Sequence, residues 1–212
     1  MKHDLTLWGV GTSRTIRAHW MLLELGLEYE FHPIGSRTGE TMTDEFMRLN
    51  PRHKIPVLRH GSFVLTESAA IIQYLSETFS HPDLMTPRDA ESRALLNEWC
   101  YFIATELDAA SLYVVRRHLG LEHIYGAAPK AVESARNYFV ENVEAMAPRI
   151  AKSGRYLMGD QFSVADILLM TCLEWAVIER IPLSEPLHDY RRRVASRPAF
   201  QKALERNFPS GK

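Results

Sequence analysis

Apolar positions along the chain first alternate in short runs and later recur with a helical period. In "DLTLW", Leu5 and Leu7 flank polar Thr6, the two-residue period of a strand, and "EYEFHPI" is a second short β-prone run. Between them Ile16, Trp20, Leu23 and Leu27 recur at helical spacing, and Gly26 is placed to end that helix. These signals predict a βαβ unit. "VLRHGSFVL" then reads as two antiparallel strands joined around His60-Gly61, and Ile71, Ile72, Leu75 and Phe79 stripe one face of a closing helix. After "SHPDLMTPRD", where Pro82 and Pro87 punctuate a linker, strand signals all but vanish. One long helix is expected from Asp89 to about Arg117, a second from about Lys130 to Ser153, and a third begins at "DQFSVADILL". Ser163 caps that third helix, with Asp166 three residues on and Phe162 and Ile167 set as a hydrophobic staple. The segment that follows is apolar nearly all round, as in a helix enclosed by others. The pattern divides the chain into an α/β part, βαβ then ββα, over residues 1–81, a linker at 82–88 and an all-helical part over 89–212.

Composition narrows the function without naming it. The chain has 212 residues, of which 46% are hydrophobic and 24% charged, values of a folded globular protein. A formal net charge of -1 gives no bulk electrostatic case for a nucleic acid or anionic membrane partner. The N-terminus lacks the long apolar core of a signal peptide, and "VADILLMTCLEWAVI" is short and carries Asp166 and Glu174, so a cytoplasmic location is expected. Cys100 and Cys172 form no C-x-x-C pair and no cluster with histidine at metal-ligand spacing. Two buried, reduced thiols and no metal are the expectation.

The candidate chemistry begins with a proline in "HKIPVLRH". A residue without a backbone N–H stands between Ile55 and Val57, at the mouth of a predicted strand. An Ile-Pro step adopts the cis form at a cost of about 0.5–1 kcal/mol. In that form it turns the chain so that the main-chain groups of Ile55 face outward, where an extended peptide can pair with them as an added strand. A trans proline that merely opens a strand is the other reading. A second motif, Thr66-Glu67-Ser68, sits where strand gives way to helix. The N–H and hydroxyl of Ser68 at a positive helix end suit a carboxylate, and Glu67 beside it suits an ammonium group; an α-amino acid end carries both. Simple helix capping by Thr66 or Ser68 is the alternative.

Together, Ile55-Pro56, Glu67-Ser68, the βαβ-ββα order and "DQFSVADILL" resemble the glutathione transferase family, over essentially the whole chain. The resemblance implies a thioredoxin-like N-terminal domain followed by a helical one. It implies that the cis-proline turn at Pro56 lets Ile55 pair with the cysteinyl backbone of glutathione, that Glu67 and Ser68 receive the γ-glutamyl end, and that Lys54, with His53 beside it, approaches the glycyl carboxylate. It also implies a symmetric homodimer, with Glu106 and Asp108 as candidates to reach a neighbouring subunit's ligand. Glutathione is then a co-substrate, joined to a small electrophile received against the helical domain; Trp8, Tyr101, Tyr113 and His118 are candidate pocket residues, with core packing as their other reading.

The glutathione thiol has a reference pKa near 8.5, so only a few per cent is thiolate at neutral pH. Lowering it by one to two units needs about 1.4–2.7 kcal/mol, which one hydrogen bond to the charged sulfur supplies. Members of the family carry Tyr, Ser or Cys after the first strand. The loop "GVGTSRT" has no Cys or Tyr, which leaves Thr12 and Ser13 as catalytic candidates, with Arg14 a third. Ser13 stands four residues before Arg17, similar to the serine-type members, and is favoured over Thr12. Rival readings keep the same site for disulfide or peroxide reduction or for isomerisation, or make the chain a non-catalytic glutathione-binding module.

Overall fold

A computed structural model describes residues 4–209. The first elements are β1 (Leu5–Trp8), α1 (Thr15–Glu24), β2 (Glu30–His32), a short 3-10 turn at Glu40–Met42, α2 (Asp44–Leu49), β3 (Val57–His60), β4 (Phe63–Thr66) and α3 (Ser68–Thr78). The expected βαβ-ββα order is present, with α2 added in the connection before β3, where a six-residue helix leaves too short a stripe to read. β1 pairs in parallel with β2 and antiparallel with β3, and β3 antiparallel with β4, so the sheet order is β2-β1-β3-β4. Gly26 ends α1 as expected: its φ is +64°, and the Leu27 N–H returns to the Leu22 carbonyl while the Gly26 N–H returns to that of Leu23.

Trp8 and Val57 are buried with Phe46 of α2, and Ile34, Leu49, Ile55 and Val64 pack around them. α2 therefore has a task, since Phe46 and Leu49 belong to the cluster against which the side chain of Ile55 packs.

The second part is helical throughout. It contains α4 (Ala90–Phe102), widened π-helical turns at Ile103–Leu112, the single turn α5 (Tyr113–Val115), further π-helical turns at Arg116–Gly120, α6 (Glu122–Tyr125), α7 (Pro129–Lys152), α8 (Val164–Ile178) and α9 (Glu185–Ala195). The expected helix from Asp89 to Arg117 is continuous, but its middle is wound with i→i+5 bonds, as where the Tyr113 N–H reaches the Asp108 carbonyl. Asp108 lies buried there, at 2% exposure, which corrects the expectation that it reaches another subunit's ligand; Glu106 is half-buried and accepts a hydrogen bond from Tyr138. α8 is buried along nearly all its length, packed by α4, the π-helical segment and α9, as its all-round apolar sequence implies.

α10 (Pro198–Asn207) departs from the sequence division. The described residues up to Thr86 form one compact unit together with those from Ser196 onward, and Pro87–Ala195 form the other. α10 packs on α1, where Phe200 meets the Trp20 ring and Arg197 pairs with Glu24 at 2.7 Å. An amphipathic helix read locally shows its apolar stripe and not which element will cover it, so the expected helical domain over 89–212 gives up its last helix to the α/β unit. Residues 1–3 and 210–212 of the expected division lie outside the described residues.

Candidate functional site

Trp8, Val57 and Thr66 stand in one row across β1, β3 and β4. The chain leaves β1 after Trp8, enters β3 at Val57 and leaves β4 after Thr66. Three loops therefore meet at one end of the sheet: Gly9–Arg14, His53–Pro56 and Glu67–Ser68. Those loops carry Thr12, Ser13, Arg14, His53, Lys54, Ile55, Pro56, Glu67 and Ser68, whereas the candidates Tyr101, Glu106, Asp108, Tyr113 and His118 belong to the helical unit.

The Ile55–Pro56 peptide is cis. The side chain of Ile55 packs in the Trp8 cluster, and its main-chain N–H and C=O make no hydrogen bond among the described residues. Gly9 lies directly against it, with φ +116° and so little room that a Cβ at Gly9 would stand 2.6 Å from Ile55 Cβ. Only glycine lets the first loop come so near the cis-proline turn. Behind Gly9, buried His19 faces its carbonyl through Nε2 at 3.1 Å and the Tyr29 hydroxyl through Nδ1 at 2.8 Å. A carbonyl only accepts, so Nε2 carries the hydrogen and Nδ1 accepts from Tyr29. Burial holds the His19 pKa down to about 4, against the usual 6.5, so the ring is neutral above that pH.

Glu67 has φ +68°, uncommon for a residue with a side chain, at the turn from β4 into α3. Its carboxylate pairs with Arg52 at 2.8 Å, and the same guanidinium donates to Thr66 Oγ1 at 2.9 Å. Ser68 is the first residue of α3 and buried; its hydroxyl accepts from the buried Arg17 guanidinium at 3.2 Å and keeps its own hydrogen to donate. The Ser68 hydroxyl thus stands beside a helix N-terminus with a cation behind it, a donor polarised toward an anion. His53, at φ +55°, is 3.0 Å from the Thr41 carbonyl through Nδ1, and Lys54 is exposed while its carbonyl accepts from Asn50 Nδ2 at 2.8 Å.

Thr12 and Ser13 differ in their surroundings. Thr12 Oγ1 accepts from the N–H groups of Thr15 at 3.0 Å and Arg14 at 3.3 Å, and Thr15 Oγ1 in turn accepts from the Thr12 N–H at 3.0 Å. This reciprocal pair closes the turn ahead of α1. The half-buried Ser13 hydroxyl has no hydrogen-bond partner among the described residues. Of the pocket candidates, Trp8 is in the core and stacks on His32 at 5.0 Å, Tyr101 is exposed, and Tyr113 and His118 are half-buried, His118 with Nδ1 2.9 Å from the Gly126 carbonyl. No group of three or more metal-ligating residues occurs among the described residues. Arg52 escapes the sequence reading, because nothing in its neighbourhood marks it as the partner of a carboxylate beyond the next strand pair.

Residues 3–77 match the N-terminal domain of glutathione S-transferase, and residues 102–198 match its C-terminal domain. A glutathione S-transferase of Drosophila melanogaster is 33% identical over 181 residues, covering 81% of this chain and 76% of the relative. The maleylacetoacetate isomerase of Mus musculus is 31% identical over 147 residues, covering 68% of this chain and 65% of its own. Among solved structures, the theta class glutathione S-transferase of Xanthomonas axonopodis pv. citri, crystallised with glutathione bound, superposes with a TM-score of 0.79 at 25% identity over 95% of this chain and 97% of that one. With both domains matched in order and the three loops of the site drawn to one end of the sheet, this chain belongs to the glutathione S-transferase family.

Proposed function

We propose that the chain binds glutathione at the end of its sheet and joins the glutathione sulfur to a small electrophile. The observation that carries this reading is the row Trp8–Val57–Thr66, which sets the unpaired main-chain groups of Ile55, the Glu67-Ser68 turn and the Ser13 hydroxyl around one end of the sheet. The cysteinyl backbone pairs with Ile55. The γ-glutamyl carboxylate receives the N–H and hydroxyl of Ser68, its ammonium faces Glu67, and the glycyl carboxylate lies toward Lys54 and His53. Ser13 then donates to the sulfur and favours the thiolate, while Thr12 shapes the turn from which Ser13 projects. The thiolate attacks the electrophilic carbon, the leaving group departs with the bonding pair, and the thiol proton passes to solvent. A symmetric homodimer in the cytoplasm completes the proposal, and sedimentation as a monomer at micromolar concentration rejects that part.

The test is Ser13→Ala. Loss of one hydrogen bond to an anion removes about 1.5–3 kcal/mol. Bound glutathione then titrates one to two units higher, and turnover near neutral pH falls roughly ten- to a hundredfold, with binding little changed. The thiolate is followed by its ultraviolet absorbance as pH is varied; an unshifted pKa removes Ser13 from the chemistry. Glu67→Ala abolishes retention on immobilised glutathione, and unchanged affinity by calorimetry rejects the γ-glutamyl assignment. A second reading, isomerisation, is favoured by the resemblance to maleylacetoacetate isomerase. There the thiolate adds to a carbon–carbon double bond, the adduct rotates, and the thiolate is expelled. Glutathione is consumed in transfer and returned in isomerisation, so its stoichiometry against product separates the two.

A further inference from the structure

Asn207, the last residue of α10, is fully buried at the opposite end of the sequence from the first loop, yet it holds that loop by three bonds. Its main-chain carbonyl accepts from the Gly11 N–H at 2.8 Å. Its Oδ1 accepts from the Thr15 hydroxyl at 2.7 Å, and its Nδ2 donates to the Thr12 carbonyl at 3.1 Å. The amide orientation is forced, because the Thr12 carbonyl only accepts and must face the NH2 group. The hydrogens also balance around Thr15. Its Oγ1 lies 2.7 Å from Asn207 Oδ1 and 2.9 Å from the Thr12 carbonyl; its one hydrogen goes to the nearer Asn207 Oδ1, which has none to give, and Oγ1 accepts from the Thr12 N–H, while the Thr12 carbonyl accepts from Asn207 Nδ2. Asn207 thus grips Gly11, Thr12 and Thr15, the residues on either side of Ser13, and makes no hydrogen bond to Ser13 or to the positions assigned to glutathione among the described residues.

We infer that Asn207 is a positioning residue for the thiolate: through Gly11, Thr12 and Thr15 it fixes the turn from which the Ser13 hydroxyl is presented. Two groups that bracket a donor set its direction, and a hydrogen bond weakens steeply when its angle falls. The role rests on the reading of Ser13 given above. A purely structural anchor elsewhere in the fold changes stability and leaves the bound thiol alone, whereas a positioning residue changes the thiol.

The experiment titrates bound glutathione and measures kcat and KM in Asn207→Ala, Ser13→Ala and the double variant. In Asn207→Ala the thiol pKa rises by about one unit and kcat near neutral pH falls about tenfold, with KM for glutathione within about twofold. In the Ser13→Ala background, Asn207→Ala adds no further shift. A second pair keeps the test open if Asn207→Ala does not fold. Thr15→Val, which leaves Asn207 in place and removes the bond between them, raises the pKa in the same direction by less, and Thr15→Ser restores it. If Ser13→Ala shifts the thiol but Asn207→Ala or Thr15→Val does not, Asn207 has no positioning role. An equal shift in both backgrounds also overturns it, since Asn207 then acts apart from Ser13. If instead Asn207→Ala shifts the thiol and Ser13→Ala does not, the assignment of Ser13 falls and Asn207 positions the N–H groups of the same turn.

Discussion

Two helices of this protein begin with the same device and use it oppositely. Ahead of α8, Ser163 and Asp166 form a reciprocal cap that is closed on every side. The Asp166 carboxylate accepts from the Leu157 N–H at 2.8 Å, the Ser163 N–H at 2.8 Å, the Ser163 hydroxyl at 2.6 Å and the Tyr190 hydroxyl at 2.7 Å, with no exposure. Burial pushes its carboxyl up from the usual carboxylate range, and the four donors pull back toward the anion. Ahead of α1, Thr12 and Thr15 make the corresponding reciprocal pair and Asn207 seals it from behind, but Ser13, next to Thr12 in the turn, keeps a hydroxyl with no partner among the described residues. A closed cap satisfies all its polar groups within the protein and contributes to stability alone. An open one withholds a donor from the fold, and that donor is what remains for a ligand.

The sharpest way to break the comparison is to open the closed cap. Asp166→Ala leaves four donors near or inside the core unsatisfied, and the loss expected is about 3–5 kcal/mol of unfolding free energy by urea denaturation. Whatever folded protein survives should bind glutathione with an unshifted thiol pKa; a shift there would mean that the two caps are not separate in function.

The next effect comes from behind the open cap. The unfolded chain protonates His19 near 6.5, whereas the native state resists to about 4. Between those values the unfolded state binds more protons, so stability falls as pH falls, by about 3 kcal/mol in all, and the term is fully present above pH 6.5. His19→Gln, whose amide meets the Gly9 carbonyl and the Tyr29 hydroxyl without titrating, flattens this slope. An identical pH dependence in the variant would remove His19 as its source.

The smallest effect belongs at the rim of the open site. Arg52 and Glu67 pair at 2.8 Å with both side chains more than half exposed, and Arg52→Ala should change stability by no more than about 0.5 kcal/mol. A larger loss would make that pair part of the scaffold, and the division between a closed structural cap and an open binding edge would blur.

What the sequence makes legible follows the distance between partners. Ser163 and Asp166 are three residues apart, Ile55 and Pro56 adjacent, Glu67 and Ser68 adjacent, and all are recognisable because the physics that links them is local. The strands, α1 and α3 are legible because their apolar positions recur with one period, and α8 because the Ser163–Asp166 cap marks its start ahead of an all-apolar run. α2 is too short to show a stripe, and the π-helical turns at Ile103–Leu112 keep helical composition while changing only the winding. Arg52, His19 and above all Asn207 are illegible for a different reason. A polar residue shows its type in the sequence but not its partner, and the partners of Asn207 lie at the other end of the chain. The allegiance of α10 is hidden in the same way: Phe200 and Ala203 announce an apolar face, and only the fold says that α1 covers it.

That allegiance has a consequence for how the protein is made. The first compact unit is discontinuous, and Pro87–Ala195 are synthesised between its two pieces. A chain emerging from the ribosome tends to fold its domains from the N-terminus as each becomes complete. Here the sheet and its loops emerge early, but the side of α1 that Phe200 and Asn207 cover stays bare, and the Gly11 N–H and Thr12 carbonyl stay without their native partners, until α10 has been made. The turn that carries Ser13 therefore gains its native restraint only after the helical unit has been made, so a nascent chain carries the loops proposed to recognise glutathione before it carries the geometry for using them.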